Sequence, residues 1–181
     1  QGNLVSTPGE SPNTMSYDLV VTVPDRTRAL RLHVLPDPTR ANGGPGRSDG
    51  GNFVLSRISL SGAQITSVAA DFVQNGYAPD GVLDDDPETG WAIYGAAGRA
   101  HELVIELSNP ISGQVRLGLH CESARWAKHT LGKFEIEATS ELGATRFAIP
   151  EPIRAIIAKP NRTTEESAAL AKHYERIALH G

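Results

Sequence analysis

The chain has 181 residues, 39% of them hydrophobic and 21% charged, with a formal net charge of −4. That is the length of one domain able to bury a core unaided, and its single cysteine, Cys121, excludes an internal disulfide framework, a thiolate zinc cluster and an iron–sulfur centre. No C-x-x-C-H occurs, so no c-type haem is attached within this chain; the mildly acidic balance speaks against a nucleic-acid binder, and no apolar run is long enough for a membrane span.

Glycine and proline punctuate the chain throughout, which favours short strands and turns over a helical bundle. Residues 1–15 are rich in Gly, Ser, Pro and Asn and read as a loose lead-in. Tyr17, Leu19, Val21 and Val23 alternate with polar residues as a strand ended by Pro24-Asp25. Leu30, Leu32 and Val34 form a second, closed by Pro36-Asp37-Pro38. A glycine-rich loop over 41–51 precedes a strand from Phe53 to Leu60, and Ile65–Val73 is a weaker one. Residues 75–90 are turn and acidic loop, and Trp91–Tyr94 is a short strand. Strands around Leu103–Leu107, Val115–Leu119 and Phe134–Ala138 complete the pattern. About eight strands at this spacing predict an all-β fold, an antiparallel β-sandwich of jelly-roll type over 16–148. Residues 149–181 read as a Pro-rich linker and a helix near 163–179. In that helix Thr163 and Glu166 make a capping box, with Leu170, Tyr174 and Ile177 on one face.

Three features invite a chemical reading. Asp84-Asp85-Asp86-Pro87-Glu88-Thr89-Gly90-Trp91 places Asp84, Asp86 and the Thr89 hydroxyl on a short curved loop. That geometry suits either a hard cation such as calcium or a solvated acidic turn. Gly46-Arg47-Ser48-Asp49-Gly50 matches G-x-S-x-G literally, but a nucleophile elbow needs a strand before it and a helix after it. Here the run lies in a loop that leads into a strand, and no catalytic residue is expected. Of the six histidines none makes a zinc-protease pattern, while His101 and His129 flank strand ends. Trp126 sits between Arg125 and Lys128 in a polar loop and reads as exposed, whereas Trp91 reads as core.

The stretch from Asp84 to Trp91 resembles the D-G-N/D-x-x-T-x-W segment of the discoidin-like, galactose-binding-like superfamily, which includes many carbohydrate-binding modules. The resemblance implies a structural calcium site held by Asp84, Asp86 and Thr89 and completed by Glu135 on the last strand. Asp85 stands where that superfamily usually has glycine. A second resemblance rests on five ordered blocks: Gly44-Pro45-Gly46-Arg47-Ser48, Gly51-Asn52-Phe53-Val54-Leu55, Gly90-Trp91-Ala92-Ile93, Gly98-Arg99-Ala100-His101 and His129-Thr130-Leu131-Gly132-Lys133-Phe134. These resemble the β-sandwich region of large planctomycete proteins that carry a planctomycete-type cytochrome c domain. That implies an exported bacterial protein (periplasmic, cell-surface or secreted) with flanking domains and a role in polysaccharide binding or breakdown.

The expectation is therefore a non-catalytic carbohydrate-binding module that targets a larger protein to a polysaccharide or oligosaccharide. The alternative is a structural spacer or protein-interaction sandwich that binds no glycan. The expected ligand site is made by loops at one end: Arg47 and Asn52, Tyr94, Arg99 and His101, Trp126 and His129. Its arginines tilt the ligand towards acidic glycans bearing carboxylate or sulfate.

Overall fold

Eight strands follow in chain order: β1 (Leu4–Ser6), β2 (Met15–Val34), β3 (Val54–Leu55), β4 (Arg57–Leu60), β5 (Ile65–Ala70), β6 (Trp91–Ala92), β7 (His101–Cys121) and β8 (Lys133–Thr139). Two helices close the chain, α1 (Glu151–Ile157) and α2 (Thr164–Leu179). The computed structural model describes residues 4–144 and 149–179, so the expected end of the sandwich near Phe147 lies outside the described residues. The fold is all-β, antiparallel and sandwich-like, with a small helical part.

Its frame is one long ribbon. β2 and β7 pair antiparallel from Met15 opposite Cys121 to Val34 opposite His101. In one limb β8 and β1 extend the sheet beyond β2, and β5 borders β7; in the other limb β4 borders β7. Inward side chains of both limbs join one cluster, including Tyr17, Leu32, Phe53, Trp91, Ile105, Leu119 and Phe134. Trp91 is fully buried, stands edge-on to Phe53 at 5.0 Å and donates its indole N–H to the Phe72 carbonyl at 2.9 Å. Burial pushes the Cys121 thiol up to about 12, so this sulfur is a core atom rather than a reactive one. The Tyr17 hydroxyl, likewise raised by burial to about 12, donates to the Leu131 carbonyl at 2.5 Å.

Four expectations are corrected. Pro24-Asp25 does not end a strand: β2 runs through it as a bulge, with Arg26 at φ 63° and the register shifting between Val23 and Ala29. The inward residues change from odd to even numbers there, as an irregular step in a strand requires. Phe53–Leu60 is not one strand but two in different sheets, parted at Ser56, whose hydroxyl donates to the His120 carbonyl at 3.0 Å. The lead-in contains β1, in ladder with Lys133–Glu135. The Pro-rich linker contains α1, which tolerates Pro152 because a first-turn N–H has no intrahelical partner.

The capping box of α2 forms reciprocally: the Thr163 N–H donates to Glu166 Oε2 at 3.0 Å, and the Glu166 N–H to Thr163 Oγ1 at 3.2 Å. The covered side of α2 carries Leu170, as expected, and His173, while Tyr174 stays exposed; the side chain of Ile177 lies outside the described residues. An ionic cluster ties the helices to the sandwich. Arg154 donates to Glu102 Oε1 at 2.9 Å and lies 3.9 Å from Asp71 Oδ2. Glu102 in turn stands 3.7 Å from Arg31 and 3.5 Å from His33.

Within this cluster the Glu102 carboxylate raises the His33 pKa above its ordinary 6.5, against the burial that lowers it. Burial pushes Glu102 up, but His33, Arg31 and Arg154 outweigh that and leave it below 4.5. The His33 contribution is thus complete below 6.5 and is lost as pH rises through the raised value. That of Glu102 is complete above 4.5 and is lost as pH falls through the lowered one. His33→Gln should therefore melt below wild type near pH 5.5, a gap that closes by pH 8.5; a gap independent of pH would remove His33 from the titrating pair.

Gly90 sits at φ 125°, and a Cβ there would lie 2.1 Å from the Leu55 carbonyl oxygen. Gly76, at φ 83°, has open space around it. Gly90→Ala should cost about 3–5 kcal/mol, clash added to backbone strain, and Gly76→Ala about 1 kcal/mol of strain alone. Thermal melts check this: Gly90→Ala should lose roughly 10 °C and Gly76→Ala a few degrees.

Candidate functional site

β3 and β6 form a two-stranded ribbon in which Phe53, Leu55, Trp91 and Ile93 turn into the core. Period-two alternation then sends Val54 and Ala92 to the other side, where they pack with Tyr77. Above Val54 lies a groove of about 350 Å³ lined also by Asn52, Gln74, Tyr94, Trp126 and His129. Four expected loop residues (Asn52, Tyr94, Trp126 and His129) thus come together in one place, although three separate chain segments supply them.

Both walls are held from behind. The Gln74 side-chain carbonyl accepts the Asn52 amide at 3.2 Å and the Tyr94 backbone N–H at 2.9 Å. Asn52 is 4% exposed, and its own carbonyl accepts the Ile93 N–H at 2.9 Å, so it positions the wall rather than facing the cleft. On the opposite side the Trp126 indole N–H donates to the Tyr77 hydroxyl. The Trp126 and His129 rings stand 5.5 Å apart, and Arg125 lies 5.4 Å over the indole as a cation–π partner. His129 reaches the Ala127 carbonyl through Nδ1 at 3.0 Å. Tyr94 is 69% exposed and Trp126 36%.

Glu88, in the acidic loop, fixes the Trp126 segment. Its carboxylate accepts the Ser123 hydroxyl at 3.0 Å and the Ala124 and Arg125 N–H groups at 2.9 and 3.4 Å. Partial desolvation raises its pKa, but these hydrogen bonds and the Arg125 charge outweigh that and leave it below the ordinary 4.5.

The other expected residues stand elsewhere. Arg47 is spent on the N-terminal segment, donating to the carbonyls of Pro8, Gly9 and Glu10. His101 is fully buried, its ring nitrogens 3.0 Å from Asp71 Oδ2 and 2.8 Å from the Ala96 carbonyl, because it opens β7 on the inward side. Arg99 is exposed on the loop before β7 and does not line the groove. Ser48 of the G-x-S-x-G match is 6% exposed and accepts the Asn52 N–H at 3.0 Å, a loop-closing role.

The four residues expected to hold calcium are not one donor set. Asp84 Oδ1 accepts the Asp86 N–H at 2.9 Å and the Thr89 hydroxyl at 2.8 Å, and Asp86 Oδ1 accepts the Glu88 N–H at 2.9 Å. The loop is thus shaped by its own Asx turns. Glu135 belongs instead to the β2–β8 ladder, where it forms a group with His33 and Glu137 whose ligand atoms lie within 4.8 Å of one another. Arg31 shares that group, 3.9 Å from Glu137, which makes it a salt-bridge network.

Gln74 and Tyr77 complete this wall without any local signal in the sequence. A wider, open depression of about 620 Å³ lies on the β2–β7–β4 limb, but its lining, with Asp18, Val20, Ser59, Arg116 and Gly118, holds no aromatic ring.

Glu88→Ala removes three hydrogen bonds behind Trp126 at once. It should quicken amide exchange at Ala124 and Arg125 and open Trp126 to acrylamide quenching, while buried Trp91 stays protected. Unchanged exchange at both amides would show that the segment holds its shape without Glu88.

The chain matches no family model, no curated protein and no solved structure.

Proposed function

We propose that this chain is a non-catalytic carbohydrate-binding module that directs a larger exported protein to polysaccharide, its ligand lying in the groove between Tyr94 and Trp126. The observation that carries this reading is the convergence of exposed aromatic rings with fixed polar atoms in one cleft of about 350 Å³. A sugar ring presents an apolar C–H face and an equatorial belt of hydroxyls. Tyr94, Trp126 and the Val54 floor suit the first, and Gln74 and His129 suit the second. Glycoside hydrolysis needs two carboxylates across the scissile bond, and among the described residues no Asp or Glu lines this groove. The resemblance to the β-sandwich region of planctomycete cytochrome c-containing proteins supplies the bacterial, exported setting of the proposal.

The reading asks for no calcium ion, since the acidic loop acts through Glu88 on the Trp126 segment. Affinity electrophoresis against a panel of soluble polysaccharides tests it. Wild type should be retarded by at least one polymer, and Trp126→Ala and Tyr94→Ala should each weaken that retardation about tenfold. Retardation equal to wild type in both variants would move the site away from the groove. No retardation of wild type by any polymer would leave the spacer or protein-interaction reading.

A further inference from the structure

The groove contains two polar groups whose hydrogen-bonding direction is fixed by neighbours. Gln74 Oε1 already accepts from Asn52 Nδ2 and from the Tyr94 N–H, at 3.2 and 2.9 Å. Two donors on one oxygen determine which end of the amide is which, so Nε2 turns its two N–H groups to the cleft without a protein partner. His129 Nδ1 stands 3.0 Å from the Ala127 carbonyl, which can only accept. The ring proton is therefore on Nδ1, and in the neutral imidazole Nε2 is left as a bare acceptor, again without a protein partner. Asn52 contributes nothing of this kind, because both ends of its amide are consumed inside the wall.

Among the described residues, no charged side chain lines the same surface. The lining comprises Asn52, Val54, Gln74, Tyr94, Trp126 and His129, none of them a fixed cation or anion. Arg47, expected to meet an acidic ligand, is spent on three backbone carbonyls, and Arg125 lies over the indole rather than in the lining. A ligand carboxylate or sulfate would lose hydration in the cleft and face the lone pair of His129 without a cation to offset the loss.

From this we infer that the groove selects an uncharged sugar, with one hydroxyl accepting from the Gln74 amide and another donating to His129 Nε2. Its C–H face lies on the Tyr94 or Trp126 ring. This rests on the carbohydrate-binding reading and deepens it: Gln74 and His129 become the residues that set specificity, and the tilt towards acidic glycans is replaced by its opposite.

The test compares wild type, Gln74→Glu and His129→Phe on neutral polymers (xylan, mannan, galactan and mixed-linkage glucan) and on acidic ones (polygalacturonate and a sulfated galactan). Glutamate at 74 keeps the oxygen that accepts from Asn52 and Tyr94 but replaces the two donors with charge. Phenylalanine at 129 keeps the ring and removes the acceptor. Wild type should bind at least one neutral polymer and no acidic one. Each variant, melting as wild type does, should bind that neutral polymer about tenfold more weakly. Binding of acidic polymers alone would overturn the inference and leave the carbohydrate reading standing. Neutral binding that survives both substitutions would also overturn it, whereas Trp126→Ala would still report on the groove. Absence of binding to every polymer would bring down the carbohydrate reading and this inference together.

Discussion

The ladder between β2 and β7 passes through both limbs of the fold, and a core exists because that ladder bends. Strands of 20 and 21 residues in a flat pair would leave their apolar faces with nothing to meet. Pro24 and Pro110 lie in the stretch where the register is irregular, and neither can donate a ladder hydrogen bond. Arg26 takes a left-handed conformation in the same stretch. The irregularity lets residues from the two limbs, such as Tyr17 and Phe134 at 5.4 Å, meet in one interior.

The groove depends on this frame in a definite way. β7 ends at Cys121, and the segment that follows carries Trp126 and His129 back over the β3–β6 ribbon. There it is held by the Val54 N–H on the His129 carbonyl, by Glu88 on its backbone and by Tyr77 on its indole. Binding surfaces lose affinity to the ordering of loops and side chains. Here most of that ordering is done by hydrogen bonds formed on folding, so long loops can behave as a wall.

What was legible in the amino-acid sequence follows from the range of each interaction. Strands were visible because apolar alternation is local, and the Thr163–Glu166 cap because both partners are three residues apart. Trp126, among charged neighbours, was legible as exposed for the same reason. Pro24 misled because a proline bulge and a proline stop look alike until a partner strand is present. His101 misled because its burial depends on Asp71, thirty positions away. Gln74 had no local mark at all: its orientation comes from Asn52 and Tyr94, 22 and 20 positions distant on either side. Glu135, expected beside the acidic loop, is placed by its strand beside His33.

The contact of Arg154 with Glu102 and Asp71 makes a second, non-covalent connection between α1 and the sheet. Glu102 is the second residue of β7, and the groove segment leaves from the last residue of that strand. The covalent route from α1 to the groove segment runs back through β8, which follows that segment, while the ion pair joins α1 to β7, which precedes it. The groove segment is thus connected to α1 from both of its ends, once by the chain and once by charge.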